Sequence, residues 1–112
     1  MDTGLSENTQ YTYQVKIKDA AGNQTAYSAT SSKYTLCDTP TGFIATADSQ
    51  SQMSLTVDTF PNHSAGSSGY KFDNITRSTT SGWQAGNNTW VETGLETGTV
   101  YTYRVYYRNG DG

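Results

Sequence analysis

Leu5-Ser6-Glu7-Asn8-Thr9-Gln10-Tyr11-Thr12-Tyr13-Gln14-Val15-Lys16-Ile17 is the stretch that decides the fold. Tyr11, Tyr13, Val15 and Ile17 alternate with Thr12, Gln14, Lys16 and Lys18, which predicts a strand with one apolar and one wet face. The pattern returns 90 residues later as Leu95-Glu96-Thr97-Gly98-Thr99-Val100-Tyr101-Thr102-Tyr103-Arg104-Val105-Tyr106-Tyr107. Asp2-Thr3-Gly4 likewise matches Glu92-Thr93-Gly94, and Gly22 matches Gly112. Self-similarity at a fixed spacing means one structural unit used more than once, so the chain holds about one and a quarter repeats. Function is therefore expected at the level of an array.

Composition agrees with short strands and turns. Of 112 residues, 19 are Thr, 12 Ser, nine Tyr and 11 Gly, while 33% are apolar and 15% charged. Thr and Tyr suit a pleated, half-buried surface, and Gly, Asn and Asp supply the turns. The net charge of −3 is spread along the chain with no basic run, which argues against nucleic acid as a partner. No segment approaches the roughly 20 apolar residues of a membrane-crossing helix, so membrane insertion is not expected. Cys37 is the only cysteine, which excludes an internal disulfide and a multi-thiolate metal site. The Ser, Thr, Asn, Tyr and Gly bias points to an extracellular or cell-surface protein.

Outward from the repeated stretch, Asp19–Asn23 and Asn109–Gly112 read as turns, and Gln24–Tyr34 as a looser partner strand. Pro40 marks a linker, because it lacks a ladder donor. Phe43, Ala45 and Ala47, then Met53, Leu55 and Val57, predict a hairpin ended by Phe60-Pro61. A polar loop over 62–69 leads to a strand starting at Tyr70 and Phe72, and Trp83 and Trp90 flank another turn. Six short strands follow from Phe43 onward, the signature of an all-β, Greek-key antiparallel sandwich.

The spacing of Leu5, Thr9, Tyr11, Tyr13, Val15 and Ile17, repeated at Leu95, Thr99, Tyr101, Tyr103, Val105 and Tyr107, resembles the fibronectin type III family in its bacterial, tandem form. The resemblance covers essentially the entire chain, with Pro40 at the opening proline of the domain. It implies an immunoglobulin-like sandwich in which Tyr11 and Tyr101 are tyrosine corners, each ring buried and each hydroxyl bonded to nearby backbone. It also implies that residues 1–36 are the last two strands of one repeat, 37–41 a linker, and 42–112 the next repeat without its final strand. The family's second-strand Trp aligns with Thr59, and Phe60 falls one residue later, on the opposite face of an unbroken strand.

No residue set converges on catalysis. His63 lies in a loop with no second His and no Cys beside it, and is expected to be solvated. Cys37 has no base near it in the linker, so it reads as a plain interdomain thiol. Asp19 with Asn23, or Asn109 with Asp111, supplies two or three oxygen ligands where calcium takes six to eight, so turn formation is the better reading. Asn23, Asn62, Asn74 and Asn87 each begin a glycosylation acceptor triplet, a pattern that an Asn- and Thr-rich chain produces readily. Trp83 and Tyr70 are the candidate platform for stacking on sugar rings, with core packing as the competing role.

The expectation is thus a non-enzyme that needs no cofactor or metal. It is a spacer or adhesion module of a tandem array, or else a carbohydrate-binding accessory module of a secreted glycan-degrading enzyme. Expected partners are neighbouring repeats, other copies of the chain through strand exchange, and polysaccharide.

Overall fold

Only the side of the Met53–Val57 run carrying Leu55 and Val57 is closed off from water, and the sandwich core grows from it. A computed structural model describes residues 1–112 as eight strands: β1 (Gln10–Tyr13), β2 (Ser31–Tyr34), β3 (Phe43–Ser49), β4 (Gln52–Val57), β5 (Gly69–Asn74), β6 (Thr79–Thr80), β7 (Thr89–Thr93) and β8 (Tyr103–Arg108). All pairings are antiparallel. One sheet runs β3-β4-β7, with Phe43 opposite Val57 and Leu55 opposite Trp90; the other runs β6-β5-β8, with Phe72 opposite Val105. The chain changes sheet at β4–β5, β6–β7 and β7–β8, which makes β3–β8 an antiparallel Greek-key sandwich of the immunoglobulin-like kind.

The core is Leu55, Val57, Phe60, Tyr70 and Phe72, with Trp90, Tyr103, Val105 and Tyr107 packed against it. Phe60 faces inward despite its position in the sequence pattern, because β4 ends at Val57 and alternation no longer governs the chain. Its ring stacks on Tyr107 at 4.5 Å and meets Tyr70 edge-on at 5.2 Å. Trp90 fills the other end against Phe72 and Tyr103, at 6.4 and 6.2 Å.

With so few apolar residues enclosed, a buried polar cluster takes on part of the task of joining the sheets. Glu92 of β7 is 5% exposed and accepts hydrogen bonds from Asn74 Nδ2 and Tyr103 Oη, both at 2.8 Å, and from Thr79 Oγ1. Arg77 lies 3.7 Å from the same carboxylate. Burial would raise the Glu92 pKa, but the donors from Thr79, Asn74 and Tyr103 and the Arg77 charge outweigh it and hold the carboxyl below its ordinary value. The Tyr103 hydroxyl is pushed up, first by burial and then by Glu92.

Residues 1–36 form a separate two-stranded ribbon, β1 paired with β2 and Tyr11 opposite Lys33. A bridge between Lys18 and Gln24 and an Asp19 Oδ1 that accepts from the Ala21 and Asn23 N–H groups close its tip. The half-buried face expected over Tyr11–Lys18 is a correction: Tyr13, Val15 and Ile17 are 46%, 64% and 70% exposed, because no second sheet faces the ribbon. Ribbon and sandwich lie end to end, giving extents of 77 × 21 × 19 Å. No helix is long and apolar enough to cross a membrane.

A group whose folded pKa is depressed stabilises the fold above its unfolded value, and that stability is lost as pH falls through the folded value. We therefore expect the denaturation midpoint to fall on acidification through the carboxylate range. Glu92→Gln should cost about 1–3 kcal/mol at neutral pH and flatten that decline. Parallel pH profiles for the two proteins would show that Glu92 does not couple the sheets.

Candidate functional site

The place where distant parts of the chain converge is the joint between ribbon and sandwich. Asn8 enters β1 with a positive φ of 41°, and its side chain is fully buried. Its Nδ2 donates to the Pro61 and Asn62 carbonyls at 3.0 and 2.9 Å, and the Ser68 hydroxyl donates to its Oδ1 at 3.1 Å. Its Oδ1 accepts from the Gly110 N–H at 2.9 Å. Two carbonyls can only accept and one N–H can only donate, so the amide's orientation is fixed by its surroundings. The sandwich thus offers a socket built from the β4–β5 loop and the turn after β8.

Around this amide, Asn62 Nδ2 donates to the Asn8 carbonyl at 3.2 Å, and Asn109 Nδ2 to the Thr35 carbonyl at 3.2 Å. Tyr34 lies against Gly110 so closely that a Cβ there would stand 2.4 Å from its ring. Asp111 accepts from the Tyr34 N–H at 3.1 Å and pairs with Lys33 at 3.3 Å. Cys37 is half-buried beside the core at this end, and burial pushes its thiol pKa up, which disfavours the reactive thiolate.

The two repeated tyrosines show the same bond. Tyr11 Oη accepts from the Ser6 N–H at 3.0 Å and Tyr101 Oη from the Glu96 N–H at 2.8 Å, each donor five residues upstream. Both rings are half-buried.

Trp83 and Tyr70 do not come together. Tyr70 is 0% exposed on the inward side of β5, its ring 5.2 Å from Phe60 and 5.4 Å from Tyr107, and presents no face to a sugar. Its two-residue spacing from Phe72 already carried that signal. Trp83 and Tyr106 are 39% and 37% exposed, and the same lysine lies near both rings. Lys71 sits 5.5 Å from the Trp83 ring centre and 4.7 Å from that of Tyr106, while the Arg108 guanidinium lies 4.7 Å from Trp83.

The remaining candidates are absorbed by structure. His63 packs at 6.1 Å from Phe60 and 5.7 Å from Tyr70 rather than standing free in solvent. Asn109 and Asp111 serve the joint, and no three His, Cys, Asp or Glu side chains are placed to hold a metal. Asn74 is 1% exposed against Glu92, which rules it out as a glycan acceptor in the folded chain. Sequence reading passed over Asn8, Glu92 and Tyr106. Of these, only Asn8 had a signal, its alignment with Gly98 at a turn where both residues take a positive φ.

Strand order and connections place the chain among antiparallel Greek-key β-sandwiches. It is similar to Exoglucanase B of Cellulomonas fimi, with 36% identity over 117 aligned residues, and the match takes in 99% of this chain. The chain spans only 11% of that protein's length. No family model matches it, and no solved structure does.

Tyr101→Phe keeps the ring and removes the acceptor for the Glu96 N–H. The expected loss is about 0.5–1.5 kcal/mol of sandwich stability with the architecture unchanged. An unaltered denaturation midpoint would strip Tyr101 of a structural role.

Proposed function

We propose that the chain is a non-catalytic spacer module from a tandem array of β-sandwich repeats in an extracellular, glycan-degrading protein. The observation that carries this reading is the end-to-end joint, which sets a ribbon and a sandwich in one line 77 Å long. In this frame residues 1–36 are the closing strands of one fibronectin type III-like repeat, 37–41 the linker, and 42–112 the following repeat. The tyrosine bonds of Tyr11 and Tyr101 support the same assignment, since each occupies the corner position of its copy. The likeness to one tenth of an exoglucanase supports a place beside a catalytic domain rather than within one. Its mechanism is geometric: a row of such units holds other domains at a set distance.

The outer edge of β8 has no strand beside it, and neither has the outer edge of β2. Pairing of β2 from one molecule with β8 of another would satisfy both, which makes strand exchange the self-assembly we expect. Small-angle scattering over a dilution series tests both ideas. A dilute particle about as long as the joint predicts supports the spacer, and a compact one overturns it. Mass that rises with concentration supports exchange, and constant mass overturns exchange alone.

A second reading rests on the outer face. Trp83 and Tyr106, bracketed by Lys71 and Arg108, supply an exposed aromatic pair suited to a polysaccharide chain. Retention on insoluble glucan that is lost with Trp83→Ala would establish this accessory role. Equal migration of both proteins through a glucan-containing gel would remove it.

A further inference from the structure

The socket that holds Asn8 is selective, and the repeat itself supplies the comparison. Asn8 and Gly98 stand at equivalent places, both at positive φ, 41° and 72°. Only the first has a side chain to insert. Gly98 is exposed and nothing approaches the place where its Cβ would stand, whereas Asn8 is fully buried with every donor and acceptor of its amide used.

We infer that the loops around Pro61–Ser68 and Asn109–Asp111 form a receptor for the strand-entry turn of another repeat, and that this receptor reads an asparagine. Rejection of other residues follows from its chemistry. The two carbonyls of Pro61 and Asn62 require an N–H donor, so an aspartate would set a carboxylate against them. The Gly110 N–H requires an acceptor on the same side chain, so a lysine or alanine leaves it unmet. A positive φ favours asparagine or glycine over other residues, and glycine lacks the amide. A repeat whose turn carries glycine, as residues 95–98 do, therefore has no latch to offer such a socket. An array built of both kinds has fixed joints where the turn carries asparagine and free ones where it carries glycine.

This inference rests on the array reading, and the test separates the two. Asn8→Gly gives the first turn the residue found in the second without disturbing its backbone. Gly110→Ala reaches the joint from the opposite side, by driving a Cβ into the Tyr34 ring. In the native chain, residual dipolar couplings from ribbon and sandwich should fit one alignment, and the Gly110 amide should be protected from exchange. In both variants the couplings should need two alignments and the backbone amide at position 110 should exchange at least about tenfold faster, while the sandwich keeps its denaturation midpoint. Gly98→Asn should change neither reading. Native couplings that already need two alignments would overturn the fixed joint and with it the rod-like spacer. One alignment in the native chain that persists in Asn8→Gly would overturn the latch alone.

Discussion

The amide of Asn8 is the point on which the long axis of the molecule depends. Two units that could each turn independently are held in line because one side chain meets two carbonyls, a hydroxyl and an N–H drawn from two separate loops. A hydrophobic joint of this size would be adaptable, since apolar contact has no preferred direction. Hydrogen bonds to a buried amide are directional, and a misaligned one leaves unsatisfied groups in a dry setting. A polar joint therefore fixes an angle at little cost in surface. Tyr34, seated where Gly110 has no side chain, adds a steric stop to that angle.

The same economy governs the sandwich. Its core is five buried apolar residues, and Glu92 ties three strands of the opposite sheet to β7 through Asn74, Thr79 and Tyr103. Such a cluster is stable only when every member is satisfied, which is why the carboxylate, the amide and the phenol occupy one another's bonding positions. A Thr- and Ser-rich chain that cannot enclose much hydrocarbon gains its definition from these placements.

Much of this was legible in the sequence, for physical reasons. Alternation along Met53, Leu55 and Val57 reports a face, and a face predicts a strand, so β3, β4, β5 and β8 were readable to within a few residues. Six strands are expected from Phe43 onward and six are found, but the two-residue β6 is too short to carry a period, so its place at Thr79–Thr80 was not readable. Tyr13, Val15 and Ile17 have the pattern of a buried face yet stand exposed, since alternation tells which side is apolar and not whether anything covers it. For Tyr70 a sugar platform and core packing compete in the sequence, and Phe72, two residues on and on the same inward face, decides for the core. The bonding partners of Asn8 and Glu92 were beyond reach, because they lie up to 102 and 18 residues away; the alignment of Asn8 with Gly98 marks a turn but not what the side chain meets, and Glu92 is one polar residue on a short strand.

The Asn109-Gly110 step at the joint has a further consequence, in the lifetime of the protein rather than its shape. Asparagine followed by glycine is prone to deamidation: the glycine's backbone nitrogen attacks the asparagine side-chain carbonyl, ammonia leaves, and water opens the cyclic imide to aspartate or isoaspartate. Here that nitrogen's hydrogen is held by Asn8 and the Asn109 amide by the Thr35 carbonyl, so the closed joint restrains both reactants. Each opening releases them together. A joint under repeated bending would accumulate isoaspartate at this one bond, and the mass spectrum of an aged sample would serve as a clock of how often the two units had come apart.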